Sequence, residues 1–422
     1  MKIMVIGGGG REHAIIRKLK ENPLIQTIYA LPGNGGIAWD AECVAISATD
    51  IPAQVDFAVK KGIDFAVVAP DDPLVLGAVD ALEEAGIPCF GPDKKAAIIE
   101  GSKAFAKDLM KKYGIPTAAY ETFTDLMAAL AYVENAPLPL VVKADGLALG
   151  KGVVIACTRQ EAAAAVKDAM ESKKFGKSGE KLVIEEFLTG PEVTVLALTD
   201  GKTIAPLKAS TDHKTAWDGD QGPNTGGMGT IAPTPYYTKE VAARCMEEIF
   251  LPTIRAMGKE GRPFKGCLYF GLMITPEGPK VIEYNCRFGD PETQVVLPLL
   301  KSDLLSLMLA VRAGRLEEAL PLEFYEGAAA CVIMASHGYP GSYEKGFPIT
   351  IPAELRERVI VAGAAEKDGK LLTSGGRVLG VTGRGDDLRA ALNEAYAAVE
   401  QIHFEKAYYR KDIGKKALEA AT

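Results

Sequence analysis

The sequence has few of the residues that would indicate a zinc site, a disulfide framework or a membrane segment. Its seven cysteines are scattered with no CxxC pair, and its four histidines are equally dispersed, so neither zinc nor disulfides are predicted. No apolar run approaches the roughly 20 residues that a membrane-spanning helix needs. The apolar run Ile3–Ile6 is too short for a signal peptide. We therefore expect a protein of the reducing cytoplasm whose cysteines mostly serve packing.

Positively charged residues are also fewer than negatively charged ones. Lys and Arg number 48 against 55 Asp and Glu, which gives a net charge of −7, whereas binding of nucleic acid needs a basic face. Anionic small molecules are not excluded, because a few local cations and backbone N–H groups can hold a phosphate inside an acidic protein. We expect neither nucleic acid nor a membrane as partner. The length of 422 residues indicates about three domains at roughly 150 residues each.

Short apolar runs alternate with helix-periodic stretches over residues 1 to about 95, which favours a parallel sheet covered on both faces. The predicted strands are Ile3–Ile6, Thr27–Leu31, Cys43–Ile46, Phe65–Ala69 and Pro88–Phe90, and the predicted helices are Arg11–Glu21, Ala53–Lys61 and Leu74–Ala85. A single long helix is expected in the following run, FGPDKKAAIIEGSKAFAKDLMKKYGIP.

The rest of the chain mixes strands and helices. The predicted strands are Leu140–Lys143, Val153–Cys157, Leu182–Phe187, Val193–Leu198, Thr203–Leu207, Gly266–Ile274, Lys280–Tyr284, Cys331–Ala335 and Val378–Val381. Helices are expected near Lys239–Lys259 and Asp387–Ile402, and Thr158 with Glu161 predicts a capping box before an Ala-rich helix.

The opening stretch IGGGGREHA is similar to the start of a dinucleotide-binding domain, but it fails the fingerprint twice. A third glycine or small residue is required, and the position falls on Glu12 or His13. The second strand then ends in YALPGNGG, with no carboxylate for a ribose. The turn still offers backbone N–H groups at a helix N-terminus, which suits a phosphate; a purely structural turn is the alternative.

A second glycine cluster, KADGLALGKGVV, is not a Walker loop. Three residues separate Gly146 from Gly150, and Gly152 rather than a hydroxyl residue follows Lys151, whereas the Walker pattern needs four residues and then Ser or Thr. With predicted strands on both sides, the cluster is typical of a flap whose backbone N–H groups face phosphates.

The third cluster, KVIEYNCRFGDPETQ, places Glu283 and Asn285 two residues apart on a strand, so that both side chains point to one face. A carboxylate beside a neutral oxygen is a normal way to hold Mg²⁺, which keeps waters and phosphates as its other ligands. Arg287 has the same parity and would face a developing negative charge. The alternative is a surface salt-bridge strand, which the apolar pair Val281 and Ile282 disfavours.

Together these motifs resemble the ATP-grasp ligases and, within them, the family of phosphoribosylamine–glycine ligases. The resemblance covers nearly the whole chain, and RFGDPE is specific to this branch. The motifs that carry it are IGGGGREHA, PGNGG, EGSKAF, KADGLALGKGV, VIEEFLTGPEV, DHK, DGDQGPNTGGMG, IEYNCRFGDPETQ and YYRKDIG.

The resemblance implies an α/β protein with an ATP-grasp fold, an N-terminal Rossmann-like parallel-sheet domain and a small C-terminal α+β domain. The implied boundaries are 1–100, 101–325, with a lid at about 120–190, and 326–422. The implied activity joins glycine to 5-phosphoribosylamine, with ATP as cosubstrate and Mg²⁺ or Mn²⁺ as cofactor, in a monomer.

The resemblance also implies roles for individual residues. The ATP set is Lys103, Lys143, Gly146, Gly150, Lys151, Gly152, Glu185, Glu186, Leu188 and Glu192. Metal ligands would be Glu283 and Asn285, and the catalytic residues Arg287, Lys143 and Asp212. Substrates would be bound by Gly8, Gly9, Gly10, Arg11, Asp71, Asp212, Lys214, Asn224, Thr225, Gly226, Gly227 and Arg287.

Three positions depart from the family pattern: Asp71 replaces a Glu, Thr215 an Arg, and Thr230-Ile231 an Ala-Tyr pair. None of them belongs to the ATP set. The alternatives are another ATP-grasp carboxylate–amine ligase, such as a purine-pathway carboxylase, and a nucleotide sensor that has lost turnover. The sensor is disfavoured by four intact residues: Lys143, Glu283, Asn285 and Arg287.

Overall fold

The computed structural model describes residues 1–147, 152–172 and 176–420. It begins with a five-stranded parallel sheet of order β3-β2-β1-β4-β5. This confirms the parallel sheet predicted for the N-terminal region. The elements are β1 (Lys2–Gly7), α1 (Gly10–Leu19), β2 (Thr27–Pro32), β3 (Glu42–Cys43), α2 (Ile51–Lys61), β4 (Phe65–Val68), α3 (Asp71–Leu76), α4 (Ala78–Glu84) and β5 (Cys89–Phe90). The prediction of one helix over Leu74–Ala85 is wrong, because Gly77 separates α3 from α4 with a φ of +96°, a conformation that glycine adopts at little cost.

The prediction of one long helix after β5 is also wrong. Two helices, α5 (Lys94–Gly101) and α6 (Lys103–Tyr113), meet at Ser102, whose backbone is extended at φ −142° and ψ 113°. The Ser102 hydroxyl accepts a hydrogen bond from Phe105 N at 3.1 Å. Serine at an N-cap offsets the unpaired first N–H groups of a helix, and the break directs Glu100 and Lys103 towards different neighbours.

A second sheet is antiparallel and packs around a hydrophobic core of its own. Its order is β6-β9-β7-β8, and its core includes Val133 and Val166 from the covering helices and Ile184 from a strand. The elements are β6 (Tyr120–Phe123), α7 (Leu126–Asn135), β7 (Leu140–Ala144), β8 (Val153–Ala156), α8 (Arg159–Met170) and β9 (Leu182–Glu186). The predicted capping box is confirmed, since Thr158 accepts from Glu161 N and Glu161 accepts from Thr158 N, both at 3.1 Å.

A third sheet, antiparallel and of order β11-β10-β16-β17, contains the strand with Glu283 and Asn285. The strands of this part of the chain are β10 (Glu192–Thr199), β11 (Ile204–Pro206), β12 (Thr211–Asp212), β13 (Thr215–Trp217), β14 (Gln221–Asn224), β15 (Gly229–Ala232), β16 (Gly266–Thr275) and β17 (Gly278–Asn285). The helices are α9 (Lys239–Arg244), α10 (Leu251–Lys259), α11 (Thr293–Leu299) and α12 (Leu304–Ala313). A π-helical segment, Cys245–Phe250, joins α9 to α10, so the predicted helix is present but not regular.

The last sheet has the order β12-β15-β18-β22-β19, with β23 beside β18. The remaining elements of the described chain are β18 (Ala328–Ser336), β19 (Val359–Val361), β20 (Ala364–Lys367), β21 (Lys370–Thr373), β22 (Arg377–Gly385), α13 (Leu388–Val399), β23 (Ala407–Tyr408) and α14 (Lys415–Ala420). Of these, β20 and β21 form a separate two-stranded sheet. Because β12 and β15 belong to this sheet, the C-terminal part of the chain supports the loop that joins them.

Two expectations from composition can be compared with the fold. Five of the seven cysteines are buried, as expected of packing residues, but Cys43 and Cys157 are exposed. Within the described residues, no helix is long and apolar enough to cross a membrane.

Candidate active site

Lys143, at the end of β7, joins the second sheet to the third. Its Nζ lies 2.9 Å from Glu185 Oε1 on β9 and donates to the carbonyl oxygen of Ile282 on β17 at 3.2 Å. The lysine is buried, and a buried charge requires such partners. The structure therefore brings three predicted motifs, KADG, VIEE and VIEYN, to one point between two sheets.

Sequence reasoning missed a second buried cation, Lys107 on α6. Its Nζ lies 3.0 Å from Glu185 Oε2 and donates to Thr117 Oγ1 at 2.7 Å. Burial lowers the pKa of Lys107 to about 8, although Glu185 opposes the shift. The side chain of Glu185 thus bridges two lysines and holds Lys143 in position. The signal was available, since Lys107 follows Lys103 by one helical turn.

Lys103 holds the base of the glycine flap. Its Nζ donates to Gly146 O at 2.7 Å, and Ser102 Oγ donates to the Asp145 carboxylate at 3.1 Å. Burial lowers the pKa of Lys103, and the charge of Glu283 opposes this effect. At the far end, Gly152 O accepts from Ala144 N at 2.8 Å. The predicted ligands Gly150 and Lys151 lie outside the described residues.

Two residues of the predicted ATP set, Glu186 and Leu188, lie at the end of β9 and just beyond it. Glu186 donates its backbone N–H to Ala119 O at 3.0 Å, and its carboxylate accepts from Ala119 N at the same distance. The N–H of Glu186 is therefore used within the protein and is not a donor for a base edge. Beyond Leu188, Glu192 extends from the start of β10, and its carboxylate lies 3.1 Å from Lys214 Nζ. Glu192, predicted to bind ATP, and Lys214, predicted to bind a substrate, thus lie side by side.

Glu283 and Asn285 lie on β17 opposite Gly271 and Tyr269 of β16. Burial disfavours the charge of Glu283, but Lys214, Lys143, Lys103 and Arg287 outweigh it and lower the pKa of this carboxyl. Four cations, each predicted from a different motif, therefore surround one ionised carboxylate.

The amide of Asn285 is assigned from its neighbours: the nitrogen donates to Glu100 Oε1 at 2.8 Å and to Tyr284 O at 3.3 Å, so the oxygen faces away from Glu100. Within the described ranges, no group of three or more His, Cys, Asp or Glu side chains could hold a metal ion. The donor set therefore does not suit an all-protein metal cage. One carboxylate and one amide oxygen do suit Mg²⁺, which takes its other ligands from phosphates and water.

Arg287 lies two residues beyond Asn285, with the same parity along the chain as Glu283 and Asn285. Its Nη2 lies 3.1 Å from Glu100 Oε1, and its guanidinium lies 5.8 Å from the ring centroid of Tyr269. Burial disfavours its charge, yet Glu100 and Asp71 raise the pKa of Arg287, which places the predicted substrate residue Asp71 close to it. Arg287 Nε is buried without a hydrogen-bond partner among the described residues. A buried donor in that condition fits an anionic ligand.

The segment between β12 and β15 contains four residues predicted to bind substrates, at positions 224–227. Thr225 N and Oγ1 both donate to Lys214 O, at 2.7 and 2.8 Å, and Asn224 ends β14. Arg377, from β22, donates to Gly226 O and to Asp290 O, each at 2.8 Å. Sequence reasoning did not find Arg377, because its partners lie 151 and 87 positions away.

Asp212 borders this loop. A Cβ at Gly227 would lie 2.6 Å from Asp212 Oδ1, so only glycine fits there. Burial, reinforced by the charge of Glu292, raises the pKa of Asp212 well above its ordinary value. Glu292 is itself buried and accepts from Thr194 Oγ1 at 3.3 Å. A raised pKa makes the ionised carboxylate of Asp212 a stronger base.

The opening glycine loop packs against RFGDPE. Gly9 N donates to Glu12 Oε2 at 2.5 Å, and Arg11 N donates to Asp290 Oδ2 at 3.2 Å. A Cβ at Gly8 would lie 2.4 Å from Gly33 O, which explains a glycine there. Carboxylates thus occupy two of the N–H groups expected to hold phosphate. The side chain of Arg11 bonds Glu12 and Phe288 O, and a phosphate at Gly8–Arg11 would have to displace or share these contacts.

This geometry predicts that the chain does not bind NAD(H) or NADP(H). Glu12 stands where the fingerprint needs a glycine, and its carboxylate occupies Gly9 N. Titration of the protein with NADH, followed by nicotinamide fluorescence, should show no saturable binding, whereas ATP in the same buffer should protect the protein against thermal unfolding. Tight, saturable NADH binding would contradict the interpretation of this loop.

Contacts from residues outside the predicted site account for Thr215, which replaces an arginine of the family, and for two histidines of the motif loops. Arg410, from YYRKDIG, donates from Nη1 to Thr215 Oγ1 at 2.9 Å, so a cation from the C-terminal segment reaches the loop where Thr215 replaces an Arg. His13 bonds Asp40 and Val361 N, and His213 bonds Gly229 O and Gly414 N. His13 is buried and His213 is partly buried, and both serve as hydrogen-bonding residues.

The meeting of two antiparallel sheets, with lysines and a glycine flap on one side and an ionised carboxylate strand on the other, defines an ATP-grasp protein. The biotin carboxylase domain of Hydrogenobacter thermophilus 2-oxoglutarate carboxylase, solved with MgADP, has this fold, with a TM-score of 0.75 at 18% identity over 99% of this chain and 97% of that one.

Family models for phosphoribosylglycinamide synthetase match the chain along most of its length: the N domain over residues 1–100, the ATP-grasp (A) domain over 101–293 and the C domain over 329–416. The chain belongs to this family. The phosphoribosylamine–glycine ligase of Rhodopirellula baltica is 49% identical over 99% of this chain and 98% of its own length. The crystal structure of the enzyme of that name from Thermotoga maritima has a TM-score of 0.85 at 35% identity, covering 98% of this chain and all of that one.

Proposed function

We propose that the chain catalyses ATP + glycine + 5-phosphoribosylamine → ADP + phosphate + glycinamide ribonucleotide, the second step of purine synthesis. The observation that carries the proposal is the full-length match to relatives named phosphoribosylamine–glycine ligase. The charged cluster around Glu283 supports it, because phosphoryl transfer needs mainly positioning and charge neutralisation.

The chemical problem is that a carboxylate is a poor acyl donor towards an amine. Transfer of the γ-phosphoryl group of ATP to glycine gives a glycyl phosphate, whose carbonyl carbon the amine attacks with release of phosphate. Lys103, Lys143 and the flap that includes Gly146 and Gly152 would hold the phosphates of ATP. Leu188 would meet the base and Glu192 the ribose, after exchanging its contact with Lys214.

Mg²⁺, or Mn²⁺ in its place, would be held by Glu283 and the amide oxygen of Asn285, and it supplies charge neutralisation to the phosphates. Arg287 would stabilise the negative charge of the acyl phosphate and of its tetrahedral successor, in the manner of an oxyanion site. The unpaired Nε of Arg287 supports this assignment.

The acceptor would lie between the loop 224–227, Asp71 and the opening loop. Asp212 would take the proton that the attacking amine loses, since its raised pKa suits a general base. The phosphoribosyl group would approach Gly8, Gly10 and Arg11, next to the carboxylates of Glu12 and Asp290. We further propose a cytoplasmic monomer with domain boundaries near residues 100 and 325.

The test is an assay of ADP release across a panel of amino acids and phosphosugar amines. Turnover is expected only with glycine and 5-phosphoribosylamine together, and reactions that lack either one serve as controls. Turnover with another carboxylate or amine would favour a different ATP-grasp ligase. Saturable ATP binding with no turnover across the whole panel would favour a nucleotide sensor.

A further inference from the structure

Glu100, at the end of α5, is a buried carboxylate to which the proposed reaction gives no task. Its side chain is 7% exposed. Burial raises the pKa of Glu100, and Arg287 opposes this effect. A buried carboxylate is costly unless it is paired and hydrogen-bonded, so its partners indicate why it is there.

Within the described residues, the hydrogen-bond and ion-pair partners of Glu100 are three consecutive residues, the last of β17 and the two that follow it. Oε2 accepts from Cys286 N at 2.7 Å, and Oε1 accepts from the Asn285 amide nitrogen at 2.8 Å. Oε1 also lies 3.1 Å from Arg287 Nη2. One carboxylate thus fixes the backbone between two side chains of the site and the orientation of both.

The orientation of the Asn285 amide determines whether its oxygen can bind a metal ion. An amide presents either its oxygen or its nitrogen to a neighbour, and only the oxygen binds a cation. Because Glu100 accepts only, it selects the rotamer in which the nitrogen of Asn285 faces inwards and the oxygen faces away from Glu100. Residues that hold a metal ligand in place typically contribute about 10- to 100-fold to metal affinity.

We propose that Glu100 is a positioning residue that aims the amide oxygen of Asn285 at the metal and holds Arg287 beside it. This inference rests on the proposed nucleotide–metal site. The same motif, EGSK, also holds the flap through Ser102 and Lys103, so one turn of chain links the metal strand to the phosphate loop.

The central variant is Glu100→Gln. It keeps the shape of the side chain but replaces one of the two acceptor oxygens by an NH₂ donor. If the NH₂ faces Asn285 and Arg287, the Asn285 amide turns over and its oxygen leaves the metal position; if it faces Cys286 N, the backbone between Asn285 and Arg287 loses its acceptor and both side chains shift. Asp93→Asn is the matched control, because it removes an acid from the same helix at the N-cap, where Asp93 accepts from Ala96 N at 2.7 Å, far from β17.

The readout is Mn²⁺ binding in the presence of ADP, measured by electron paramagnetic resonance of the free ion, which does not depend on turnover. Glu100→Gln should weaken Mn²⁺ binding about 10- to 100-fold, with ADP affinity in the absence of metal and the thermal unfolding temperature close to those of the unsubstituted chain. Asp93→Asn should bind Mn²⁺ normally. In an Asn285→Ala background, Glu100→Gln should cause little further loss, because coupled residues are not additive.

Unchanged Mn²⁺ binding by Glu100→Gln, or losses that multiply in the double variant, would overturn the inference and leave the proposed function intact. Failure of the unsubstituted chain to bind Mn²⁺ with ADP would overturn both. If Glu100→Gln does not fold, Glu100→Asp, which keeps the charge but shortens the side chain, takes its place. It should also weaken Mn²⁺ binding, and that loss should disappear in the Asn285→Ala background.

Discussion

Glu283→Gln is expected to reduce turnover at least ~10²-fold, comparable to removal of a principal transition-state contact. The substitution keeps the shape of the side chain and removes the charge on which four cations converge. Those cations would then lack their common counter-charge, and the metal would lose its only carboxylate from this strand. Single-turnover formation of ADP, measured at saturating ATP and Mg²⁺, reports the loss directly.

Glu277→Gln provides the control for this variant. Glu277 is exposed, lies just before β17 and bonds Thr275 Oγ1 at 2.9 Å, so the same chemical change there should leave turnover close to that of the unsubstituted chain. Circular dichroism and thermal unfolding confirm that both variants fold. Near-normal turnover in a folded Glu283→Gln protein would move the metal site elsewhere.

The fold could be predicted well wherever burial alone decides structure. The run Ile3–Ile6 is fully buried in the middle of a parallel sheet, and such strands appear in a sequence as continuous apolar runs. The breaks at Gly77 and Ser102 were missed because helix periodicity continues across them. Both are local exceptions, one a left-handed glycine and the other a serine cap, inside otherwise apolar and helical patterns.

The site was predictable where its residues fall in motifs and not where they act through distant partners. Lys103, Lys143, Lys214 and Arg287 all influence Glu283, as one shared site requires. Glu100, in contrast, lies 186 positions from Cys286, and no local pattern connects the two. Arg377 was missed for the same reason, because it meets Gly226 and Asp290 only after the sheets have assembled. The occupation of Gly9 N by Glu12 likewise depends on a side-chain rotamer that spacing does not reveal.

The other large effect concerns the fate of oxygen. If glycine is activated as an acyl phosphate, its carboxylate oxygen attacks the γ-phosphorus and becomes the bridging oxygen. When the amine displaces phosphate from the glycyl carbon, that oxygen leaves with the phosphate. Glycine labelled with ¹⁸O in both carboxylate positions should therefore yield one labelled oxygen in inorganic phosphate and one in the product amide, with ADP as the nucleotide product.

Mass spectrometry of the derivatised phosphate and of the nucleotide distinguishes this order of bond changes from its alternatives. An adenylating ligase would transfer the label to AMP and release pyrophosphate, and hydrolysis of ATP uncoupled from glycine would leave the phosphate unlabelled. Labelled water with unlabelled glycine is the control and should leave the phosphate unlabelled in the coupled reaction. We expect label in phosphate because Lys103, Lys143 and Glu283 place the charged groups of the site where the phosphates of ATP would lie. Label in AMP, or none in phosphate, would refute both the acyl-phosphate mechanism and the proposed roles of these residues.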